Sequence, residues 1–347
     1  MDEPITYTSS GVNIDAGMES LKRIGAKAKE THGKNVLTGL GGFGSLYDIS
    51  TIKNFKEPVL VQSVDGVGTK LMVANMLNRY DTVGIDIVNH CVNDILCQGA
   101  RALTFLDYIA VESLKPEQIE ALVTGMAVAC KQSGVSLVGG ETAELPGTYA
   151  KGEYDLVGMI TGVVEKSQII TGQNIEEGNT ILGLASSGLH TNGYTLARKV
   201  IFDKMGMSAT TIPEGFSRTI GEVLLAPHKD YSESLLPLID RRLIKGLAHI
   251  TGGGFLDNIP RVLPSHVNAV IQKNSWEIPP VFRLIQEGGT VPEADMFRTF
   301  NMGIGMAVIV DAKDTNAIKG DLEKAGETVH EIGEIKAGEG KTVFYPA

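Results

Sequence analysis

The sequence predicts an α+β fold in two mixed domains, and three observations carry that expectation. The chain has 347 residues, more than one average domain of roughly 100–200 residues accounts for. Short β-branched runs and amphipathic helical segments alternate irregularly along it, which favours α+β over a doubly wound parallel sheet. No G-x-G-x-x-G of the dinucleotide-binding type follows the first strand-like run. The polar turn Ile175-Glu-Glu-Gly-Asn179 marks the region where a first domain, residues 1–170, gives way to a second, residues 171–347.

The elements follow in order. A loose start leads to a helix over Met18–Glu30 and a glycine-rich loop, Gly39-Leu-Gly-Gly-Phe-Gly44. Pro58 opens the strand Val59–Val64, which runs into Asp65-Gly-Val-Gly-Thr-Lys70. From Thr82 to Gly99, Ile85, Val88, Cys91, Val92, Ile95 and Leu96 recur at helical spacing, while Asp86, Asn89, His90, Asn93 and Asp94 form a polar stripe. Next come a strand over Ala102–Val111, a helix from Pro116 to about Ser133, a short strand entering Val138–Glu144, and a strand over Tyr154–Val164. The second half reads as a strand (Thr180–Ala185), a glycine-rich loop, helices from Tyr194 to about Arg242, and a strand (Gly246–Ile250). The turn Thr251–Gly254 and mixed strands and helices complete it.

Composition excludes several classes. With 43% hydrophobic and 21% charged residues the chain is an ordinary globular protein. A formal charge of −10 argues against nucleic acid as a partner, since phosphate neutralisation needs clustered Lys and Arg. The three cysteines, Cys91, Cys97 and Cys130, form no C-x-x-C pair, and their reading is structural. The opening MDEPITYTSS has no apolar run behind a basic stretch, and no segment reaches the roughly 18–20 apolar residues of a membrane span. A cytoplasmic protein with no membrane partner is expected.

The chemistry concentrates in five places. Asp65-Gly66-Val67-Gly68-Thr69-Lys70 combines an acid, two glycines, a hydroxyl and a lysine. Glycine amides approach phosphate oxygens, lysine supplies a point charge, and a carboxylate is a hard ligand for a bridging cation. The order differs from a Walker A loop, and such a loop also serves as a plain tight turn. Asp94 lies on the polar stripe, whose alternative reading is a solvated face, and Glu141 lies in Val138-Gly139-Gly140-Glu141. Mg²⁺ takes one or two protein carboxylates plus phosphates and waters, so Asp65, Asp94 and Glu141 together suit one or two such ions. His190, just before a helix start, is placed to move a proton or to pack the turn. Thr251-Gly-Gly-Gly-Phe255 is either a phosphate cradle or a flexible bend.

Taken together, Gly11–Gly17, Gly39–Gly44, Asp65–Lys70, Gly84–Asp94, Leu106–Tyr108, Leu137–Gly147, Ser186–Tyr194, Leu247–Pro264 and Met296–Met306 resemble the phosphoribosylformylglycinamidine cyclo-ligases through nearly the whole chain. That resemblance implies a homodimer in which N-terminal strands of two copies form a β-barrel, and a sandwich-like second domain. It implies ATP-dependent, Mg²⁺-dependent closure of formylglycinamidine ribonucleotide to aminoimidazole ribonucleotide through a phosphorylated amide. On the matched positions it implies Asp65, Asp94 and Glu141 at Mg²⁺ and triphosphate, Gly66, Gly68, Thr69 and Lys70 at phosphates, and Gly41, Gly42 and Gly44 in a cover over ATP. Ser187, His190, Asn192, Gly252 and Gly253 are implied at the substrate, with His190, Lys70 and Asp94 in catalysis. Thiamine-phosphate kinases, selenide dikinases and hydrogenase-maturation proteins share fragments of these blocks. The last two are expected to carry an N-terminal-loop or a C-terminal cysteine, and this chain ends Val-Phe-Tyr-Pro-Ala347.

Overall fold

A computed structural model describes residues 13–345. The opening segment with Gly11 and Val12 of the first block, and Pro346 and Ala347, lie outside the described residues. The first half holds α1 (Ile14–Lys29), β1 (Pro58–Gly66), α2 (Lys70–Leu77), α3 (Asp81–Leu96), β2 (Arg101–Val111), α4 (Pro116–Gln132), β3 (Ser136–Glu144) and β4 (Tyr154–Glu165). Its four strands form one sheet in the order β1-β4-β2-β3, antiparallel except for β2 beside β3. That parallel pair is joined through α4, as a parallel connection requires.

Alternation of buried and exposed residues in β4 turns Tyr154, Leu156, Gly158 and Ile160 to one face. α3 and α4 cover that face, and Gly158 lacks a Cβ where one would lie 2.3 Å from Phe105 and 2.8 Å from Ile87. The two helices approach through glycines: a Cβ on Gly84 would lie 2.1 Å from the Leu122 carbonyl, and one on Gly125 1.9 Å from the Asp81 carbonyl. The opposite face of the sheet carries Leu60, Val64 and Tyr108, all exposed.

The second half builds a six-stranded sheet in the order β10-β7-β9-β5-β8-β6. Its strands are β5 (Thr180–Ala185), β6 (Ile244–His249), β7 (Val267–Gln272), β8 (Ile304–Val310), β9 (Val329–Ala337) and β10 (Thr342–Tyr345). Around it pack α5 (Tyr194–Arg198), α6 (Ile220–Leu224), α7 (Ser232–Asp240), α8 (Gly254–Asn258), α9 (Pro280–Gly289), α10 (Glu293–Thr299) and α11 (Thr315–Lys324). β8 is buried at all seven positions because sheet neighbours flank it on both edges and apolar residues cover it on both faces. The α+β class expected from the sequence is the class observed. Among the described residues no helix is long and apolar enough to cross a membrane.

The polar stripe of α3 is not a solvated face. Asp86, Asn89, His90 and Asn93 are all buried, and they face the second half. Asn89 Nδ2 donates to the His228 carbonyl at 2.7 Å, and Asn93 Nδ2 to the Lys229 carbonyl at 2.8 Å. The amide of Tyr231 donates to Asn93 Oδ1 at 3.1 Å, and that of His228 to Asp86 Oδ1 at 2.6 Å. One helix thus satisfies the backbone of 228–231, which otherwise would be buried without partners.

Because the contact between α3 and α4 has no room for a methyl group, Gly125→Ala should lower stability by about 1–3 kcal/mol or more. Urea denaturation of the variant reads this directly, and an unchanged midpoint would contradict the close approach.

Candidate active site at the seam between the two halves

Ser63 and Asp65 share the face of β1 that looks onto α3. His90 and Asp94 sit one turn apart on α3, so they meet these residues together. His90 Nε2 lies 2.7 Å from Asp65 Oδ2 and 3.8 Å from Asp94 Oδ2. Ser63 donates to Asp94 Oδ2 at 3.1 Å, and His249 Nδ1, at the end of β6, lies 2.8 Å from Asp94 Oδ1. The carboxylates of Asp65 and Asp94 remain 39% and 28% exposed, which leaves oxygens for a ligand. Asp94 and Ser63 line a cleft of about 490 Å³ with His249, Thr251, Asn258 and Arg261.

A continuous chain of groups connects the two carboxylates behind that cleft. From Asp94 it passes to His249, then to His228 (Nε2 to Nε2, 2.8 Å), Thr191 (3.4 Å), His90 (2.7 Å) and Asp65. Donors and acceptors can be assigned along it. Ionised Asp94 accepts from His249 Nδ1–H, His249 Nε2 accepts from His228 Nε2–H, and His228 Nδ1 accepts from the Thr191 hydroxyl. Thr191 then accepts from His90 Nδ1–H, so His90 Nε2 needs a second proton to face Asp65. The reverse assignment puts that extra proton on His249, and His90, raised where His249 is lowered, is the ring that favours it.

The surroundings agree with that assignment. Burial would lower His90, but the hydrogen bond to Asp65 and the charges of Asp94 and Asp65 outweigh it and raise it. Burial holds His228 and His190 well below the usual histidine range and neighbouring cationic groups add to this, while His249 is lowered by burial against the pull of Asp94. Asp94 is buried enough to be raised, yet His249 and His90 bring it below the ordinary carboxylate value.

Lys70 differs from its expected place at a phosphate. Its side chain is fully buried, with Nζ 2.7 and 2.9 Å from the two oxygens of Asp86, 3.0 Å from the His190 carbonyl and 2.8 Å from the Ala226 carbonyl. All three ammonium hydrogens are used, so the group has none to offer a ligand. Lys70 opens α2 after the N-cap Thr69, and Gly68 before it adopts a φ of +69° that turns the chain.

His190 is likewise corrected. Its ring is 1% exposed, stacked on His228 with centroids 4.0 Å apart, and its Nε2 accepts from the Ser187 amide at 3.2 Å. It holds a positive φ of 62°, uncommon for a residue with a Cβ. The ring touches no open cleft; its carbonyl serves by holding Lys70. Ser187 donates to the Pro227 carbonyl, and Thr69 meets Thr195 hydroxyl to hydroxyl at 3.0 Å across the seam. Asn192 stands beside Gly252, where a Cβ would lie 3.1 Å from its Oδ1. Asn258 underpins that turn, its Nδ2 reaching the carbonyls of Thr251, Gly252 and Gly254 at 3.3, 3.2 and 2.8 Å, while Gly253 adopts φ +96°.

Glu141 does not join Asp65 and Asp94. The sheet register aligns Asp65 with Gly158, Gly158 with Asp107 and Asp107 with Gly140, so Glu141 is three strand spacings away, roughly 14 Å. It lines a separate cavity of about 910 Å³ with Gly41, Gly42 and Gly44. Gly66 pairs with Val157 at the end of β1. The expected nucleotide residues thus divide between a cleft and a cavity.

Sequence reasoning gave no role to Asp86, Thr191, His228 or His249. A histidine in a β-strand and another in an Ala-Pro-His-Lys turn look like packing residues until the fold brings them within 2.8 Å of each other.

The fold and this acid-rich seam define a two-part protein of the AIR synthase-related class. Residues 48–164 match the family "AIR synthase related protein, N-terminal domain" and residues 176–346 match "AIR synthase related protein, C-terminal domain". The chain belongs to the phosphoribosylformylglycinamidine cyclo-ligase family. It is 50% identical to a protein of that name from Alkaliphilus oremlandii over 96% of this chain and 98% of the relative, and 48% identical to one from Brevibacillus brevis over 97% of each. Among solved structures, a thiamine-monophosphate kinase from Stenotrophomonas maltophilia has a TM-score of 0.68 at 18% identity, covering 94% of this chain and 95% of its own. The hydrogenase maturation protein HypE in complex with ATP also reaches 0.68, at 16% identity, covering 96% and 92%. At these identities the likeness is one of fold.

Two outcomes follow from the seam. Lys70→Met leaves Asp86 buried and unpaired, and should cost about 3–5 kcal/mol of stability, part of which Lys70→Met/Asp86→Leu recovers. Denaturation curves of the single and double variants read this, and unchanged stability with weakened nucleotide affinity would return Lys70 to a phosphate role. Folding also holds His190, His228, His249 and the part-exposed His330 below their unfolded values and His90 above its own. Below about pH 6.5 His90 carries its proton in both states and cancels, while unfolding lets the lowered rings take up protons, so their share of the stability should fall there with a slope approaching roughly 1.4 kcal/mol per pH unit for each of the three buried rings. A flat profile between pH 6.5 and 5 would contradict the neutral histidines.

Proposed function

We propose that the chain converts formylglycinamidine ribonucleotide and ATP to 5-aminoimidazole ribonucleotide, ADP and phosphate. The observation that carries this reading is a pair of part-exposed carboxylates, Asp65 and Asp94, braced at the seam of a chain about half identical to cyclo-ligases over nearly its whole length. The donor set fits Mg²⁺: two hard carboxylates with open oxygens, and room in the cleft for phosphate and water. Bound there, the ion would neutralise phosphate charge.

The chemistry asks little covalent work of the protein. A formamide oxygen leaves poorly, and accepting the γ-phosphoryl group turns it into phosphate. The substrate's own nitrogen then attacks the activated carbon, the carbon–oxygen bond breaks with the electron pair departing on phosphate, and the nitrogen releases a proton. Tethering the nucleophile in the same molecule supplies proximity. Asp65 and Asp94 are held by His90, Ser63 and His249 before ligand arrives, which is the preorganisation such transfer uses. The nucleotide base enters the 910 Å³ cavity under the Gly39–Gly44 loop, and the distance to Asp65 is within the span of an extended nucleoside triphosphate.

The exposed Leu60, Val64 and Tyr108 on the uncovered face of the first sheet support pairing of two copies through that face, and the cysteine content supports a cytoplasmic setting.

Purified protein with ATP, Mg²⁺ and formylglycinamidine ribonucleotide should form aminoimidazole ribonucleotide, and ATP hydrolysis without that product would contradict the assignment. Asp94→Asn should lower turnover on the order of 10²-fold or more with unfolding little changed; near-normal kinetics would remove Asp94 from the site. Val64→Glu should yield monomers by analytical ultracentrifugation, and an unaltered dimer would place the contact elsewhere.

A further inference from the structure

The seam holds more nitrogen than a magnesium site uses. Mg²⁺ takes oxygen ligands, which Asp65 and Asp94 supply, yet two imidazoles press on the same carboxylates. His90 Nε2 lies 2.7 Å from Asp65 Oδ2 and 3.8 Å from Asp94 Oδ2, and His249 Nδ1 lies 2.8 Å from Asp94 Oδ1. One ligand atom from each of His90, Asp94 and His249 falls within 4.8 Å of the others. Both rings are buried, both carboxylates are partly exposed, and His249 and Asp94 line the cleft through which an ion would enter. Ligand atoms set tetrahedrally around Zn²⁺ stand roughly 3.3 Å apart, and the measured separations of 2.7, 2.8 and 3.8 Å each lie within about 0.7 Å of that.

The hydrogen-bond chain behind the seam is able to free the lone pairs such an ion needs. With its proton on Nε2, His249 donates to His228 Nε2 at 2.8 Å. His228 Nδ1–H and His90 Nδ1–H then both meet the Thr191 hydroxyl oxygen, whose two lone pairs accept them. His249 Nδ1 and His90 Nε2 are left bare and aimed at the acids. The extra proton held between rings and carboxylates leaves to solvent, and the cation takes its place. Each ligating ring keeps its other nitrogen bonded within the protein, as metal-bound histidines require. The deeper group of His190, His228 and His249 does not offer this. There His190 Nε2 accepts from the Ser187 amide, which puts the proton of that neutral ring on Nδ1.

We propose that the seam is also a transition-metal site, in which His90 Nε2, His249 Nδ1 and one carboxylate oxygen each from Asp65 and Asp94 hold a single Zn²⁺ or similar imidazole-seeking cation, to the exclusion of Mg²⁺. Imidazole suits Zn²⁺, Ni²⁺ and Cu²⁺ and not Mg²⁺, so the two nitrogens decide between the ions. The ligand set stands on geometry alone. Its consequence, loss of turnover when Zn²⁺ is bound, rests on the reading of the seam as the place where Mg²⁺ and ATP meet.

Calorimetric titration of Zn²⁺ into metal-free protein tests this, with Mn²⁺ as the stand-in for Mg²⁺ followed by electron paramagnetic resonance. One Zn²⁺ per chain should bind at least about tenfold more tightly than Mn²⁺ and release an equal amount of it. X-ray absorption at the zinc edge of the wild-type complex should show the multiple scattering of two imidazoles in a shell of nitrogen and oxygen. His90→Gln and His249→Gln should each weaken Zn²⁺ at least about tenfold and leave an absorption pattern of one imidazole. Should either variant fail to fold, the wild-type absorption spectrum and Mn²⁺ release decide alone. Oxygen-only coordination, a sulfur neighbour from Cys97 on the same cleft, undiminished Zn²⁺ affinity in folded variants, or Mn²⁺ retained beside bound Zn²⁺ would each overturn the proposal and leave the cyclo-ligase reading intact. Two-imidazole binding with Mn²⁺ released, in a protein that forms no aminoimidazole ribonucleotide with Mg²⁺, would sustain the site and sink that reading. Mn²⁺ that never binds would count against both.

Discussion

The buried pair of Lys70 and Asp86 is the constraint on which the rest of the structure depends. Two charges taken out of water are tolerable only when every donor and acceptor finds a partner. The partners here come from both halves: Asp86 from α3, the carbonyls of His190 and Ala226 and the amide of His228 from the second half. The ammonium therefore fixes where the 186–194 loop and the 226–231 segment sit against α3. Separating the halves would strand a charge, so the geometry at the seam has little freedom.

Beside that pair, the same segments deliver the histidines. His190 and His228 follow from the loops that Lys70 and Asp86 hold, and His249 arrives from β6 to complete the chain from Asp94 to Asp65. His90 lies between the two carboxylates, whose charges raise it against its burial and so favour a positive ring that offsets part of their mutual repulsion. Asp94, despite its burial, is held below the ordinary carboxylate range by His249 and His90, which suits it to a cation and its phosphates. Fold stability and site electrostatics thus draw on one set of contacts.

How much of this the sequence disclosed depended on how local the signal was. Periodicity located α3, α4 and most strands, because apolar spacing reflects the element itself. Asp65 and Asp94 were legible because a carboxylate next to glycines, or on a polar helical stripe, suggests ligand chemistry without knowledge of the fold. The same reasoning misplaced Lys70. A lysine after a glycine-rich turn reads as a phosphate contact, and only the long-range partners at 86, 190 and 226 show its ammonium turned inward. The stripe of α3 was ambiguous for a related reason: burial by residues 228–231, well over a hundred positions away, leaves no trace in the helix. Glu141 was grouped with the other acids on composition, and strand order separates them.

The account holds that the amide oxygen of the substrate is activated by phosphorylation at this seam before ring closure. Formylglycinamidine ribonucleotide labelled with ¹⁸O at the formyl oxygen tests it most directly. Mass spectrometry of the inorganic phosphate released with each aminoimidazole ribonucleotide should find the label there, one atom per turnover. Label recovered in water, with unlabelled phosphate, would contradict the account.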